Sequence, residues 1–232
     1  MARLVLFPQS ISYAQRADCI KAKGKAFLLH FTLMVLLVVL TTFSTVLSAN
    51  TIVVFGDSIS AAYNMPEEKG WVNLLQQTLD DKGYPHTLVN QSISGDTTAG
   101  GLARIDKALE QHKPNLVLLE LGANDGLRGF SPILIKKNLR ELIKRSTQSG
   151  AKVILLSMRI PSNYGKRYTE LFYNNYLELA EEMNIPFIPF ILEDVVLKPD
   201  MMQADQLHPN EKAQPIIAEK IWSHLKPTLQ TN

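Results

Sequence analysis

Four short polar segments of the sequence carry side chains that together could perform acyl transfer. They are Gly56-Asp57-Ser58, Ser94-Gly95-Asp96, Gly122-Ala123-Asn124-Asp125 and Asp205-Gln206-Leu207-His208-Pro209. A serine hydroxyl is a weak nucleophile that needs a base within hydrogen-bonding reach, and histidine can act as that base near neutral pH. A carboxylate beside the histidine fixes its tautomer and stabilises the imidazolium. We therefore predict a catalytic triad of Ser58, His208 and Asp205.

The spacing within the fourth segment favours joint action of its two functional side chains. Asp205 and His208 are three residues apart, and Pro209 follows directly. Because proline suits the first position of a helix, we expect Pro209 to begin the last helix and to make the preceding turn rigid.

The tetrahedral intermediate of acyl transfer also needs fixed hydrogen-bond donors around its oxyanion. We predict that the backbone N–H groups of Ser58 and Gly95 and the side-chain amide of Asn124 supply them. A glycine at position 95 lets a substrate approach the main chain closely. The loss of one such donor typically costs about 3 kcal/mol in the transition state.

Each segment is a weak signal when it is taken alone. Gly-Asp-Ser and Asn-Asp-Gly are common in turns. Asp57 is predicted to be structural, either bonding N–H groups of its loop or capping a helix after Ser58. Asp96 and Asp125 are expected either to order their loops or simply to be solvated. The prediction of a site therefore depends on the order of the segments and on the elements that position them.

The remainder of the sequence alternates short apolar runs with segments of helical periodicity. Buried strands are predicted at residues 51–55, 88–90, 116–121, 153–157 and 187–190. Helical faces are predicted for Val72, Leu75 and Leu79; for Leu102, Ile105 and Leu109; for Ile135, Leu139, Leu142 and Ile143; and for Ile217, Ile221 and Leu225. This alternation predicts a three-layer α/β/α domain with a parallel, flavodoxin-like, five-stranded sheet. Sites in such sheets lie outside the carboxyl ends of the strands, where the first three polar segments are found.

The polar segments resemble, in order, the signature blocks of the SGNH (GDSL) hydrolases. The matching residues are Gly56-Asp57-Ser58-Ile59-Ser60, Gly95, Gly122-x-Asn124-Asp125 and Asp205-x-x-His208-Pro209. Residues 92–97, 101–104, 124–130, 161–165 and 197–199 are similar to bacterial members that combine thioesterase, lysophospholipase and arylesterase activity. The resemblance runs from about Ile52 to Leu229, and its visible departure is Ile59, where leucine is commoner.

The resemblance implies the SGNH hydrolase fold and an enzyme that cleaves acyl esters and thioesters. It also implies that Ser58, Gly95, Asn124, Asp205 and His208 take the family roles proposed above. A fatty acyl chain needs apolar walls, and each buried methylene contributes about 0.8 kcal/mol. Candidates for such a groove are Leu127, Phe130, Ile160 and Pro161, which flank the ends of the third and fourth strands; the alternative is ordinary loop packing.

The first 49 residues differ in character from the rest. A basic segment is followed by the apolar run 26–40 and then by small residues ending in Val46-Leu47-Ser48-Ala49. This pattern predicts a secretory signal peptide over residues 1–49, cleaved after Ser48 or Ala49, and a periplasmic hydrolase domain over residues 50–232. Because residues 26–47 could also cross a bilayer, which takes about 20 residues, the alternative is an uncleaved inner-membrane anchor with the domain facing the periplasm.

The charge balance argues against a nucleic-acid partner. The whole chain has 24 basic and 22 acidic residues; residues 1–49 hold five of the former and one of the latter, which leaves 19 and 21. The basicity therefore belongs to the N-terminal segment and predicts no clustered basic face. Cys19 is the single cysteine and lies in that segment.

We expect neither a metal nor another cofactor. The remaining histidines with no partner at a metal-ligand spacing are predicted to lie on the surface: His86, His112 and His224. The expected partner is a small acyl ester, thioester or lysophospholipid. The chain is taken as a monomer, with membrane contact only through the N-terminal segment.

Three alternative functions can be compared with the sequence. A carbohydrate O-acetyl esterase has similar sequence blocks, but its activity would decline sharply beyond acetyl esters. An exported binding protein with an inactive site is disfavoured by the intact set of catalytic residues. Nucleotide binding is disfavoured because no Gly-x-Gly-x-x-Gly or Walker loop is present, and Ser58 also lacks the Gly-x-Ser-x-Gly elbow of α/β-hydrolases.

Overall fold

A computed structural model describes residues 50–230 of the chain, so the predicted signal peptide or anchor of residues 1–49 lies outside the described residues. The central feature is a sheet of five parallel strands in the order β2-β1-β3-β4-β5. The strands are β1 (Asn50–Gly56), β2 (His86–Asn90), β3 (Leu116–Glu120), β4 (Lys152–Leu156) and β5 (Phe187–Ile188). The predicted five-stranded parallel sheet is confirmed.

Helices cover both faces of this sheet. They are α1 (Trp71–Asp81), α2 (Thr98–His112), the short α3 (Ala123–Leu127), α4 (Pro132–Gln148), α5 (Lys166–Met183) and α6 (Gln214–Gln230). Helix α1 packs against α6 in one layer, and α2 packs against α4, which in turn packs against α5, in the other. The predicted three-layer α/β/α architecture is confirmed. Within residues 50–230, no helix combines the length and the apolarity needed to cross a bilayer.

The core lies between the sheet and the apolar faces of the helices. Strand β3 is buried along its whole length, as expected for a strand covered on both faces. The face predicted for α4 is fully buried, with 0 % exposure at each of Ile135, Leu139, Leu142 and Ile143. The last helix buries Ile217, Ile221 and Leu225 in the same way. Helical periodicity therefore identified the core-facing sides correctly.

Several local predictions need correction. Strand β5 ends at Ile188 rather than at residue 190, because Pro189 has no N–H group to donate to a neighbouring strand. The residues after Ser58 form successive turns rather than a helix. Strand β2 begins at His86, where it pairs with Asn50 of β1. This pairing buries His86 to 9 % exposure, so its predicted surface position is wrong, and the burial lowers its pKa.

Strand β1 pairs with β2 on one side and with β3 on the other. Val54 lies opposite Asn90 and also opposite Leu118, and Gly56 lies opposite Glu120. The carboxyl ends of these three strands therefore meet at one edge of the sheet. The loops that follow them carry the first three polar segments.

A buried polar cluster connects two of those loops. The backbone N–H and the hydroxyl of Thr98 donate to the two carboxylate oxygens of Asp125, at 2.8 and 2.6 Å, and the side-chain amide of Asn138 donates to the Thr98 hydroxyl oxygen at 3.0 Å. Asp125 is 2 % exposed, so it is an ordering residue and not a solvated one. Burial raises its pKa, and the hydrogen bonds from Thr98 oppose that rise. The cluster fixes the starts of α2 and α3 relative to α4.

We expect Thr98→Val to lower the free energy of unfolding by about 1–3 kcal/mol, because it leaves Asp125 and Asn138 with an unsatisfied buried group each. Urea unfolding followed by circular dichroism measures the change. Thr98→Ser keeps the hydroxyl and is the matched control, which should lose less than half as much. Equal stability of Thr98→Val and the unchanged chain would show that the cluster contributes nothing to the fold.

Candidate active site

Ser58 lies in the tight series of turns that follows β1. The turns are closed by hydrogen bonds from Ala61 N–H to the Asp57 carbonyl and from Tyr63 N–H to the Ser58 carbonyl. The Asp57 carboxylate accepts the N–H of Ile59 at 3.1 Å, which is one of the two structural roles predicted for it. Ser58 is largely buried, with 9 % exposure, at the edge of the sheet.

The three residues predicted to form a triad are brought together in one hydrogen-bonded chain. His208 Nε2 lies 2.9 Å from Ser58 Oγ, across 150 positions of sequence, and His208 Nδ1 lies 2.7 Å from Asp205 Oδ2. These distances allow His208 to accept the serine proton at Nε2 while its Nδ1–H donates to the carboxylate. The arrangement is the one that nucleophilic acyl transfer requires.

The spacing of Asp205 and His208 has a direct structural reason. The second carboxylate oxygen of Asp205 accepts the backbone N–H groups of Leu207 and His208, each at 3.0 Å. Burial opposes ionisation of Asp205, but the hydrogen bonds from the His208 ring and from these two N–H groups outweigh it. They lower the pKa of Asp205 from 3.8 to about 2. The Asp205 carboxylate is therefore ionised near neutral pH.

The loop that carries His208 is fixed by a bridge and not by the start of a helix. Pro209 pairs with Met202 in an isolated antiparallel bridge, and α6 begins only at Gln214, so the prediction that Pro209 starts the last helix is wrong. The side chain of Gln203 donates to the Tyr63 carbonyl at 2.9 Å. These contacts tie the His208 loop to the turns after Ser58.

Tyr63 makes a second contact across the site. Its ring centroid lies 4.5 Å from that of His208, with the planes tilted by 38°. Sequence reasoning missed this residue, since nothing in the pattern places an aromatic ring against the histidine.

The residues predicted to bind an oxyanion lie in the loops after β1, β2 and β3. Gly95 has φ +81°, a conformation that glycine adopts without strain. Within residues 50–230, the N–H groups of Ser58 and Gly95 have no hydrogen-bond acceptor, so both are available to a substrate. The side-chain amide of Asn124 donates one hydrogen to Asp57 at 3.0 Å, and its second hydrogen has no acceptor among the described residues.

The four residues predicted to line an acyl groove are in different environments. Leu127 is half-buried, Phe130 is 40 % exposed and Pro161 is exposed. Ile160 is only 7 % exposed and packs tightly against Gly126, where an added Cβ would lie 2.7 Å from its side chain. Ile160 therefore packs mainly against Gly126 and exposes little surface.

Two tyrosines hold the segment between Leu127 and Phe130. The Tyr164 hydroxyl donates to the Leu127 carbonyl at 2.7 Å, and the Tyr168 hydroxyl donates to the Phe130 carbonyl at 2.6 Å. The exposed Arg128 donates to the Gly95 carbonyl at 3.1 Å and so joins this segment to the loop after β2.

Glu120 is the largest omission of the sequence analysis. It ends β3 with 0 % exposure, and its Oε2 accepts the Ser60 hydroxyl at 2.7 Å and the Asp57 N–H at 3.2 Å. An acidic residue that closes an otherwise apolar strand was the available signal. In the described part of the chain, no group of three or more His, Cys, Asp or Glu side chains is arranged to hold a metal ion.

The lowered pKa of Asp205 predicts a pH dependence of folding stability. Because the folded-state pKa of about 2 lies below the ordinary value of 3.8, the stability that the carboxylate contributes is present above about pH 4 and is lost as the pH falls through about 2. Asp205→Asn should therefore be less stable than the unchanged chain at pH 7, with a deficit that shrinks between pH 4 and pH 2. Urea unfolding of both proteins across this range measures it. A deficit that stays constant to pH 2 would contradict the ionic origin of the contact.

Comparison with known proteins agrees with this geometry. Residues 54–215 match the GDSL-like lipase/acylhydrolase family. The chain is 50% identical to an arylesterase of Vibrio mimicus over 178 residues, covering 77% of this chain and 89% of the relative. It is 44% identical to thioesterase 1/protease 1/lysophospholipase L1 of Escherichia coli K12 over 192 residues, covering 83% of this chain and 90% of the relative.

A solved structure shows the same likeness in three dimensions. The psychrotrophic esterase EstA from Pseudoalteromonas sp., inhibited by monoethylphosphonate, superimposes with a TM-score of 0.76 at 44% identity, covering 78% of this chain and 99% of that chain. The predicted family is confirmed: this chain is a hydrolase that belongs to the GDSL-like lipase/acylhydrolase family.

Proposed function

We propose that this hydrolase cleaves acyl esters and thioesters with Ser58 as nucleophile, His208 as general base and Asp205 as the group that orients His208. The observation that carries the proposal is the continuous chain of hydrogen bonds from Ser58 Oγ through the His208 ring to Asp205, at 2.9 and 2.7 Å. The 2.9 Å distance between His208 Nε2 and Ser58 Oγ is short enough for the proposed proton transfer between them.

The reaction proceeds in two stages. In the first stage His208 Nε2 takes the proton of Ser58 as Oγ forms a bond to the acyl carbon. The bond from that carbon to the leaving oxygen or sulfur then breaks, and His208 gives the proton to the leaving group. A water molecule attacks the acyl-serine in the same way, giving its proton to His208. The bond between the acyl carbon and Ser58 Oγ then breaks, the carboxylic acid leaves, and His208 gives its proton to Ser58.

The negative charge of each tetrahedral intermediate is stabilised by donors that are in place before the reaction. We assign this role to the backbone N–H groups of Ser58 and Gly95 and to the free amide hydrogen of Asn124. Support comes from the absence of competing acceptors for the two N–H groups within residues 50–230 and from the bond that fixes Asn124 on Asp57. Such fixed donors typically account for a large part of the rate enhancement.

The proposed substrate range is based on the relatives and on the partly exposed apolar side chains of Leu127 and Phe130. One relative is named an arylesterase, and another a thioesterase and lysophospholipase. We assign to this chain aryl esters, lysophospholipids and acyl thioesters, with the acyl chain lying along Leu127 and Phe130. In this assignment Pro161 borders the groove and Ile160 supports it from below.

Export remains part of the proposal. Residues 1–49 carry the signal pattern described above, with cleavage after Ser48 or Ala49 or with retention as an inner-membrane anchor. A periplasmic enzyme meets little acyl-CoA, so lysophospholipids and free esters are the more natural substrates there. We take the domain of residues 50–232 to act as a monomer.

A ladder of p-nitrophenyl esters from acetyl to palmitoyl tests the proposed substrate range. We expect kcat/KM to stay high or to rise beyond short acyl chains, since each buried methylene adds binding energy. A sharp decline beyond acetyl would contradict the proposal and would favour a carbohydrate O-acetyl esterase.

The acyl groove has its own test in Leu127→Asp. A carboxylate in the groove should depress kcat/KM for palmitoyl esters by about tenfold or more, because burying an unpaired charge is costly, while acetyl esters should change little. Leu171→Asp, at a half-exposed leucine of α5, is the matched control and should affect neither substrate. Equal losses on long and short chains would remove Leu127 from the groove.

A further inference from the structure

Glu120 lies directly beneath the loop of the proposed nucleophile. It is paired in register with Gly56, and a Cβ atom on Gly56 would lie 2.5 Å from Glu120 Oε2. The carboxyl group therefore occupies the space that a side chain at position 56 would need. The glycine that precedes Asp57 and Ser58 is thus matched to the acid on the neighbouring strand.

The contacts of Glu120 are divided between its two oxygens. Oε2 accepts hydrogen bonds from the Ser60 hydroxyl and from the Asp57 N–H. Oε1 is buried and has no hydrogen-bond donor among residues 50–230. An oxygen with no donor is the position expected for the hydroxyl of a neutral carboxylic acid, which is itself a donor.

The Asp57 carboxyl group is the neighbour that can accept from this acid. Asp57 is 1 % exposed and interacts directly with Glu120. Two ionised carboxylates in one buried site repel each other, so one of them keeps a proton. Burial, and then the charge of Asp57, raise the pKa of Glu120 well above its ordinary value.

Asp57 is assigned as the ionised member of the pair because each of its two carboxylate oxygens accepts a hydrogen bond, one from the Ile59 N–H and one from the Asn124 amide. Burial raises its pKa to about 6, and the rise is opposed by the Ile59 N–H, by the charge on His208, by Glu120 and by Asn124. Its carboxylate accepts one amide hydrogen of Asn124 at 3.0 Å. A chain of contacts thus runs from the end of β3 through Asp57 to a proposed oxyanion donor.

We propose that Glu120 is a positioning residue, which as a neutral acid holds the Asp57 carboxylate and, through it, aims the free amide hydrogen of Asn124 at the oxyanion. The inference rests on the proposed function, because it assigns Glu120 to the oxyanion hole of that reaction. Glu120 itself touches no substrate. Its effect is on the transition state, so it should appear in kcat and not in KM.

A double-mutant cycle with the full chain tests the connection to Asn124. Glu120→Met keeps most of the volume but removes both polar contacts, and Asn124→Ala removes the donor. We expect Glu120→Met to lower kcat on p-nitrophenyl butyrate about 10- to 100-fold and to leave KM unchanged within about twofold. This loss of kcat is smaller than the about 10²–10³-fold loss expected when the donor itself is removed by Asn124→Ala. In the Asn124→Ala background the same substitution should lower kcat less than about threefold, because residues that act through one another are not additive.

Two further variants separate positioning from general damage. Glu120→Gln can still accept from Ser60 and donate to Asp57, so kcat should stay within about threefold of the unchanged chain. Leu118→Ala removes a buried side chain two residues earlier on β3 and should lower the melting temperature without lowering kcat.

The inference is overturned if Glu120→Met lowers kcat equally in both backgrounds, if it leaves kcat unchanged, or if Glu120→Gln is as inactive as Glu120→Met. It is also overturned if Leu118→Ala lowers kcat as much as Glu120→Met. Ser58→Ala distinguishes this failure from that of the proposed function. Full activity of Ser58→Ala would reject the nucleophile itself, whereas an inactive Ser58→Ala with an additive cycle would reject only the role of Glu120.

Discussion

The position of β1 between β2 and β3 is the constraint on which the site depends. Parallel pairing on both sides makes the three carboxyl ends level, with Gly56 opposite Glu120 and Val54 opposite Asn90. The loops that follow must therefore emerge next to one another. The strand order β2-β1-β3 thus brings Ser58, Gly95 and Asn124, which follow these strands, to a single edge of the sheet. This edge is where parallel sheets generally bind ligands.

The fourth component of the site reaches this edge by a different route. His208 belongs to a long loop between β5 and α6 that no strand pairing aligns with Ser58. It is held by the Met202–Pro209 bridge and by the Gln203 side chain on the Tyr63 carbonyl. Two classes of interaction therefore cooperate: backbone pairing positions the three strand-end loops, and the bridge and side-chain hydrogen bonds bring His208 to Ser58.

The parts that could be predicted from sequence are those that local patterns specify. Apolar runs identified the strands, because a strand buried on both faces consists mainly of apolar residues. Helical periodicity identified the buried faces of the helices, because a helix buried along one stripe has apolar residues at every third or fourth position. The spacing of Asp205 and His208 identified their partnership, because one carboxylate can bond both the ring and the backbone three residues on.

The parts that were missed depend on contacts across the fold. These contacts join segments that are distant in sequence, and no local pattern predicts that the segments lie close together. They are the contacts of Glu120 with Asp57, of Thr98 with Asp125 and of Tyr164 with the Leu127 carbonyl. The same reason explains why the close packing of Ile160 against Gly126 could not be predicted from sequence.

Covalent trapping is the most direct measurement of whether Ser58 is a nucleophile activated by His208. An aryl fluorophosphonate releases fluoride when a serine oxygen attacks its phosphorus, so the serine gains the phosphonyl group as a mass that can be located by peptide mass spectrometry. We expect one adduct per chain, on the peptide that contains Ser58. In His208→Ala the adduct should form about 10²-fold or more slowly, because the general base is absent. An adduct on another residue, or labelling of Ser58 at an unchanged rate in His208→Ala, would contradict it.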